Sequence, residues 1–251
     1  MNRICYAEVK GGIGNQLFQV SAAHEYAKSN GMDVMITIES WFGNQGNHPD
    51  CYRGNIFKTF KYGMAQNYHT YKENTDGSYR ELLQYNDSKN LLLKGYFQSM
   101  KYNKNFFEDF VHTIELANYE SGPNQVAMHI RRGDYETLSG IHKVCYTDYY
   151  VKAMELFPGK EFVIFTDDPK RIKVEFHDYR NNLKIMVSSS DFIDLSRMAR
   201  FENLIISNSS FSWWASKLGV KCEKVVAPSR WFANELFSDL ADDADFTTID
   251  V

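Results

Sequence analysis

Between residues 125 and 228 the chain alternates short apolar runs with amphipathic stretches about four times, and this rhythm constrains the fold more than any other feature. The runs are "QVAMHI", "EFVIF", "LKIMV", "NLIIS" and "KVVAP", rich in β-branched and aromatic residues. Each intervening stretch reads as a helix. "YTDYYVKAMELFPG" has Thr147 as a candidate N-cap and Pro158-Gly159 beyond its end. "DDPKRIKVEF" places Asp168 at the N-cap and Pro169 at the first helical position. "DFIDLSRMARF" puts Phe192, Leu195 and Met198 or Ala199 on one face, and "SSFSWWASKLG" closes on Gly219. Strands that alternate with helices pair in parallel, so this half is expected to be a doubly wound α/β unit.

The start of the chain repeats the theme. "RICYAEV" is a strand candidate, "KGGIGNQ" a break, "QLFQVSAAHEYAKSNG" a helix, and "DVMITI" a second strand. Residues 40–122 are less regular, with a strand in "NLLLKGYFQSMKYN" and a helix over "KNFFEDFVHTIEL". "NYESGPNQ", carrying Gly122-Pro123, reads as a linker, which sets two domains at 1–122 and 123–251. The tail "DLADDADFTTIDV" is acidic and expected to be solvated.

Bulk chemistry narrows the function. With 251 residues, 43% apolar and 24% charged, the chain has ample material for a soluble core. A net charge of −4 argues against nonspecific nucleic-acid binding, which needs a basic surface. Cys5, Cys51, Cys145 and Cys222 are scattered with no Cys-x-x-Cys pair, so neither a zinc site nor a redox motif is expected, and a reducing compartment fits. No secretory signal opens the chain and no window approaches the roughly 20 apolar residues of a membrane helix, so a soluble, cytoplasmic protein without a transmembrane anchor is expected.

Four motifs sit at expected strand ends, where open α/β sheets bind ligands. The first is Gly11-Gly12-Ile13-Gly14-Asn15-Gln16. Glycines between strand and helix let backbone approach a ligand, and a helix N-terminus favours anions, but a tight turn alone explains them equally well. The second is "HIRRGDY", residues 129–135. In a strand, residues 129 and 131 point to one face and 130 and 132 to the other. His129 and Arg131 are therefore expected to share one face, with Arg131 as an anion grip whose charge never titrates away. Arg132 is expected opposite, in a structural role with Asp134 as its candidate partner. Asp134 either holds an arginine or acts on substrate. The third is Thr166-Asp167-Asp168. Asp168 doubles as an N-cap, Asp167 is expected to be freer, and nucleobase or sugar contact is favoured over metal. The fourth, Asn208-Ser209-Ser210-Phe211-Ser212-Trp213-Trp214, offers hydroxyl and N–H groups at a helix start. Those serines also read as N-caps, and the tryptophans as helix–sheet packing. Together the motifs describe a diphosphate site.

"GGIGNQLFQ", "HIRRGDY", "YTDYYVKAM", "FTDD" and "LIISNSSFSWWAS", in this order, resemble the α-1,2-fucosyltransferase family, glycosyltransferase family eleven. The resemblance implies a GT-B-like α/β fold, with two Rossmann-like domains of mostly parallel strands facing a central cleft. It implies GDP-β-L-fucose as donor, a glycan hydroxyl as acceptor, inversion to an α-fucoside, and neither metal nor cofactor. By motif, Arg131 would hold the diphosphate, with His129, Asn208 and Phe211 lining the donor pocket. Ser209 and Ser210 would lie near phosphate, and Asp167 or Asp168 near guanosine. Gly12, Gly14, Asn15 and Gln16 would lie at the interdomain cleft. Asp134 is the first candidate for the catalytic base, with His142 or Asp168 behind it. Departures from the family pattern are "LSRMARFEN" before the fourth motif, Ala-Ser after the tryptophan pair, and a short chain. These bear on acceptor and linkage. Rival readings are another linkage or GDP-sugar, and a non-catalytic module that binds a sugar nucleotide or glycan.

Overall fold

The structure is a computed structural model that describes residues 2–38, 46–84, 88–133, 140, 142–188, 190–219, 222–233, 240 and 245–251. The chain divides into two compact units, Met1–Leu116 and Ala117–Val251.

In the first unit, β1 (Ile4–Glu8), β2 (Asp33–Thr37), β3 (Lys61–Tyr62), β4 (Tyr68–Lys72) and β5 (Asn90–Lys94) form a sheet in the order β3-β2-β1-β5-β4. All its pairings are parallel. Helix α1 (Ile13–Ser29) crosses over between β1 and β2, and Leu17, Phe18, Val20, Ala22 and Ala23 are all fully buried. The helix begins inside the first glycine motif, three residues before the expected start, because Gly12 in extended backbone serves as its N-cap. Residues 40–122 hide two strands that the sequence did not reveal. β3 and β4 are edge strands with mostly exposed or half-buried side chains, so they carry little apolar alternation to read. The helix expected over 104–116 contracts to α2 (Phe107–Val111), with Phe110 buried.

In the second unit, β6 (Gln125–Ile130), β7 (Glu161–Thr166), β8 (Leu183–Ile185), β9 (Asn203–Ile205), β10 (Lys224–Pro228) and β11 (Phe246–Ile249) run in the order β11-β10-β9-β6-β7-β8, again all parallel. The expected helices appear as α3 (Thr147–Glu155), α4 (Pro169–Glu175), α5 (Asp191–Met198) and α6 (Ser210–Leu218). The core gathers Val126, Met128, Ile130, Tyr149, Ile164 and Ile205. Trp213 and Trp214 are fully buried, which bears out packing as their role.

Two expectations need correction. The acidic tail is not simply solvated: Phe246–Ile249 adds an edge strand beside β10, because Thr247, Thr248 and Ile249 are β-branched and suit a ladder. Thr147 does not cap α3. Tyr146 occupies that position in extended backbone, without a side-chain hydrogen bond. Asp168, by contrast, caps α4 as expected, accepting from the Arg171 N–H at 3.1 Å. Residues 117–124 pack on the second unit: the Ala117 N–H donates to Ser196 Oγ at 3.1 Å and Ser121 Oγ to the Arg200 carbonyl at 2.7 Å. Among the described residues no helix is long and apolar enough to cross a membrane.

Candidate active site

The register of the second sheet assembles the site. β6 lies between β7 and β9, with His129 opposite Phe165 and Met128 opposite Ile205. The carboxyl ends of these three strands therefore open side by side, at residues 131–133, 167–168 and 206–210. Three motifs separated by up to eighty positions in sequence become neighbours, as the carboxyl-edge rule requires.

Arg131 leaves the end of β6 with its side chain about a third exposed, and its Nη1 pairs with Asp167 Oδ2 at 2.9 Å. Asp167 Oδ1 accepts the backbone N–H of Arg132 at 2.9 Å. Asp167 is thus not the freer aspartate that the sequence suggested. Both of its oxygens are engaged on the arginine pair, one of them anchoring the Arg131 guanidinium through Nη1. Gly133 belongs to the same clamp: a Cβ there would sit 2.5 Å from Asp167 Oδ2.

Arg132 turns the other way and is buried, as strand alternation demands. Its expected partner, Asp134, lies outside the described residues. Arg132 Nε and Nη2 reach Glu175 Oε2 at 3.2 and 2.8 Å, and Nη1 donates to the Cys145 carbonyl at 2.7 Å. Glu175 also takes Arg171, one helical turn before it on α4. Burial pushes the Glu175 carboxyl up, but hydrogen bonds and charge from Arg132 and Arg171 outweigh it and hold the group below its ordinary value. Glu175 was not singled out from sequence. Its one signal is the Arg171–Glu175 spacing, which suits an ion pair along a helix.

His129, two residues before Arg131, is buried. Its Nδ1 lies 2.9 Å from Ser207 Oγ, and its ring centroid is 5.1 Å from that of Phe211. Burial, then the charge of Arg131, lower its pKa to about 3. The imidazole is neutral at physiological pH, so positive charge at this strand end comes from arginine. Ser207 was also overlooked. It stands just before the quoted serine motif, where β9 turns toward α6.

Asn208 is buried, and its Nδ2 donates to the Lys143 and Trp231 carbonyls at 2.7 and 2.6 Å. It ties two loops to the end of β9. Tyr149 assists from α3, donating its hydroxyl to the Ile206 carbonyl at 2.6 Å. Ser209 stands at the N-cap of α6 but makes no side-chain capping bond, and Ser210 begins the helix. The first turn of any α-helix directs backbone N–H groups off its end. His142 forms an isolated antiparallel bridge to Phe232 and stacks on its ring at 5.8 Å. No group of three or more His, Cys, Asp or Glu side chains placed to hold a metal ion occurs among the described residues.

The first motif lies in the other unit. Gln16 is buried, and its Nε2 donates to the Gly11 and Asn47 carbonyls, both at 2.9 Å. Asn15 Oδ1 accepts from Gln98 Nε2 at 2.6 Å. Gly12 caps α1, and Gly14 is buried in its first turn.

Two parallel α/β sheets, with charged and polar groups at their carboxyl edges, define a GT-B-like fold. The fucosyltransferase NodZ from Bradyrhizobium shares it, with a TM-score of 0.53 at 14% identity, over 87% of this chain and 93% of that one. Residues 46–247 match the model for glycosyl transferase family 11, and the chain belongs to that family. Two curated relatives come from Escherichia coli. The O-antigen biosynthesis glycosyltransferase WbnK is 37% identical over 131 residues, 48% of this chain and 43% of the relative. An alpha-1,2-colitosyltransferase is 34% identical over 137 residues, 48% of this chain and 46% of the relative. The chain thus matches less than half the length of either.

Proposed function

We propose that the protein is an inverting, metal-independent glycosyltransferase that moves L-fucose from GDP-β-L-fucose to a hydroxyl of a glycan acceptor, with an α-1,2 linkage to galactose or a similar sugar. The observation that carries this is the Arg131–Asp167 pair, held at a strand end beside the α6 N-terminus. Family membership supports it, as does the likeness of the fold to NodZ, an alpha-1,6-fucosyltransferase whose crystals were grown with GDP.

In this reading the acceptor hydroxyl attacks the anomeric carbon as GDP departs. Charge builds on the leaving diphosphate. Arg131 and the first-turn N–H groups of α6 stabilise it from positions fixed before reaction, which lowers the barrier because no reorganisation is needed. Neutral His129 lines the pocket, its ring held by Ser207 and Phe211. Asp168, fixed at the α4 N-cap, lies toward guanosine. Asp134 takes the proton of the attacking hydroxyl.

One relative is named for colitose transfer, which favours a second reading: the same chemistry with another GDP-sugar. Incubating the protein with a panel of GDP-sugars and β-galactosides, then analysing linkage, tests both. GDP release with α-1,2-fucosylated product is the expected result. Release from a different GDP-sugar alone would shift the donor. Failure to bind GDP in calorimetry would overturn both readings and leave a non-catalytic module.

A further inference from the structure

The first unit has a carboxyl edge of its own, and it is built with unusual care. Gln19 is buried, and its carboxamide ties two strand ends together: Oε1 accepts the Lys10 N–H at 2.8 Å and Nε2 donates to the Gly95 carbonyl at 3.0 Å. Glu73, just past β4, accepts the N–H groups of Tyr96 at 2.6 Å and Phe97 at 2.9 Å. Gly95 is needed there, since a Cβ would fall 2.6 Å from Glu73 Oε2. Phe97 has φ +53°, a left-handed conformation that is sterically costly for a residue with a side chain. It is held by its buried ring, which packs on Tyr71 and Tyr102 with centroids 6.2 and 5.1 Å away.

Strain of this kind persists only where the surroundings over-determine it, and it gathers at ligand clamps. The clamp sets half-buried Tyr96 and Gln98 on either side of the buried Phe97. Lys10 Nζ lies 4.8 Å from the Tyr96 ring centroid, and Gln98 Nε2 donates to Asn15. An aromatic ring, the Gln98 carboxamide oxygen and an ammonium suit a neutral sugar, whose hydroxyls need donors and acceptors and whose C–H face needs a ring. No arginine stands among them, and the Glu73 carboxylate disfavours a second phosphate.

We propose that Lys10, Tyr96 and Gln98 form a glycan-binding subsite, with Glu73 as the positioning residue that holds Tyr96 in place. Calling its occupant the acceptor rests on the transferase reading above. Binding of the sugar does not.

The test uses the full chain with lactose as the probe. Saturation-transfer NMR is expected to show magnetisation passing to the galactose protons, and Tyr96→Ala is expected to weaken lactose binding about tenfold. Gln98→Ala, which leaves the buried Phe97 ring intact, is expected to weaken it as well. In turnover assays Glu73→Gln raises the acceptor KM and leaves kcat unchanged, a split that loss of folded protein would not produce. No saturation transfer to lactose in the unmodified protein, or saturation transfer indifferent to both Tyr96→Ala and Gln98→Ala, overturns the proposal. GDP calorimetry run alongside keeps the two readings separable. Loss of GDP binding sinks the transferase reading, while normal GDP binding with Tyr96-indifferent lactose sinks only this one.

Discussion

Arg131 Nη1 and the Arg132 backbone N–H are bound by the two oxygens of one carboxylate, Asp167, each at 2.9 Å. The carboxylate aims one arginine while fixing the backbone of the next. If Arg131 stabilises a leaving diphosphate, Arg131→Ala should lower turnover about 10²–10³-fold with the fold intact. Arg131→Lys should fail similarly, because a single ammonium cannot reproduce the two-pronged donor. Asp167→Ala, which releases the guanidinium without removing it, should cost about 10²-fold through misplacement. GDP release assays measure all three. Near-normal turnover in Arg131→Ala would remove this residue from the mechanism.

Gly133→Ala tests the clamp without touching a charge. The added methyl would meet Asp167 Oδ2 at 2.5 Å, so the carboxylate must move and Arg131 with it. Gly133 is exposed, so stability should change little while turnover drops. Urea melts beside turnover assays separate the two effects.

Arg132 carries the opposite expectation. Its side chain is buried against a Glu175 carboxylate that is itself only 19% exposed. Arg132→Met leaves that carboxylate with Arg171 alone and strips the buried Cys145 carbonyl of its donor, and should destabilise the protein by about 3 kcal/mol. Combining Arg132→Met with Glu175→Gln should recover part of the loss, read as a double-mutant cycle in urea.

His129 makes a pH prediction. Its folded-state pKa is about 3, against an ordinary 6.5. Between those values the unfolded chain binds a proton that the folded chain refuses. The stability present above the ordinary value is therefore lost progressively as pH falls toward the folded one. His129→Asn should flatten this acid limb relative to the unmodified protein, as seen in thermal melts across that range.

Transfer should proceed at full rate in EDTA. Loss of activity with EDTA and recovery with Mg²⁺ or Mn²⁺ would contradict the metal-independent mechanism.

The alternation after residue 125 was legible because each buried parallel strand is apolar and each helix carries its own stop signals. Asp168, Pro169 and Gly219 mark ends by local chemistry, and local chemistry survives in a linear reading. Strands β3 and β4 were not legible, since edge strands need little apolar patterning. The tail strand was masked by its acidic approach, although its β-branched residues gain a partner in β10.

At the site, the sequence by itself determined that His129 and Arg131 part company with Arg132, because strand side chains alternate. It also determined that four motifs fall at strand ends. Only the tertiary structure decided who holds whom. Asp167 lies thirty-six positions from Arg131 and Glu175 forty-three from Arg132, and the parallel register of β6 with β7, together with the packing of α4, brings them within reach. Such pairings depend on distances in space, which the spacing of residues along the chain does not encode.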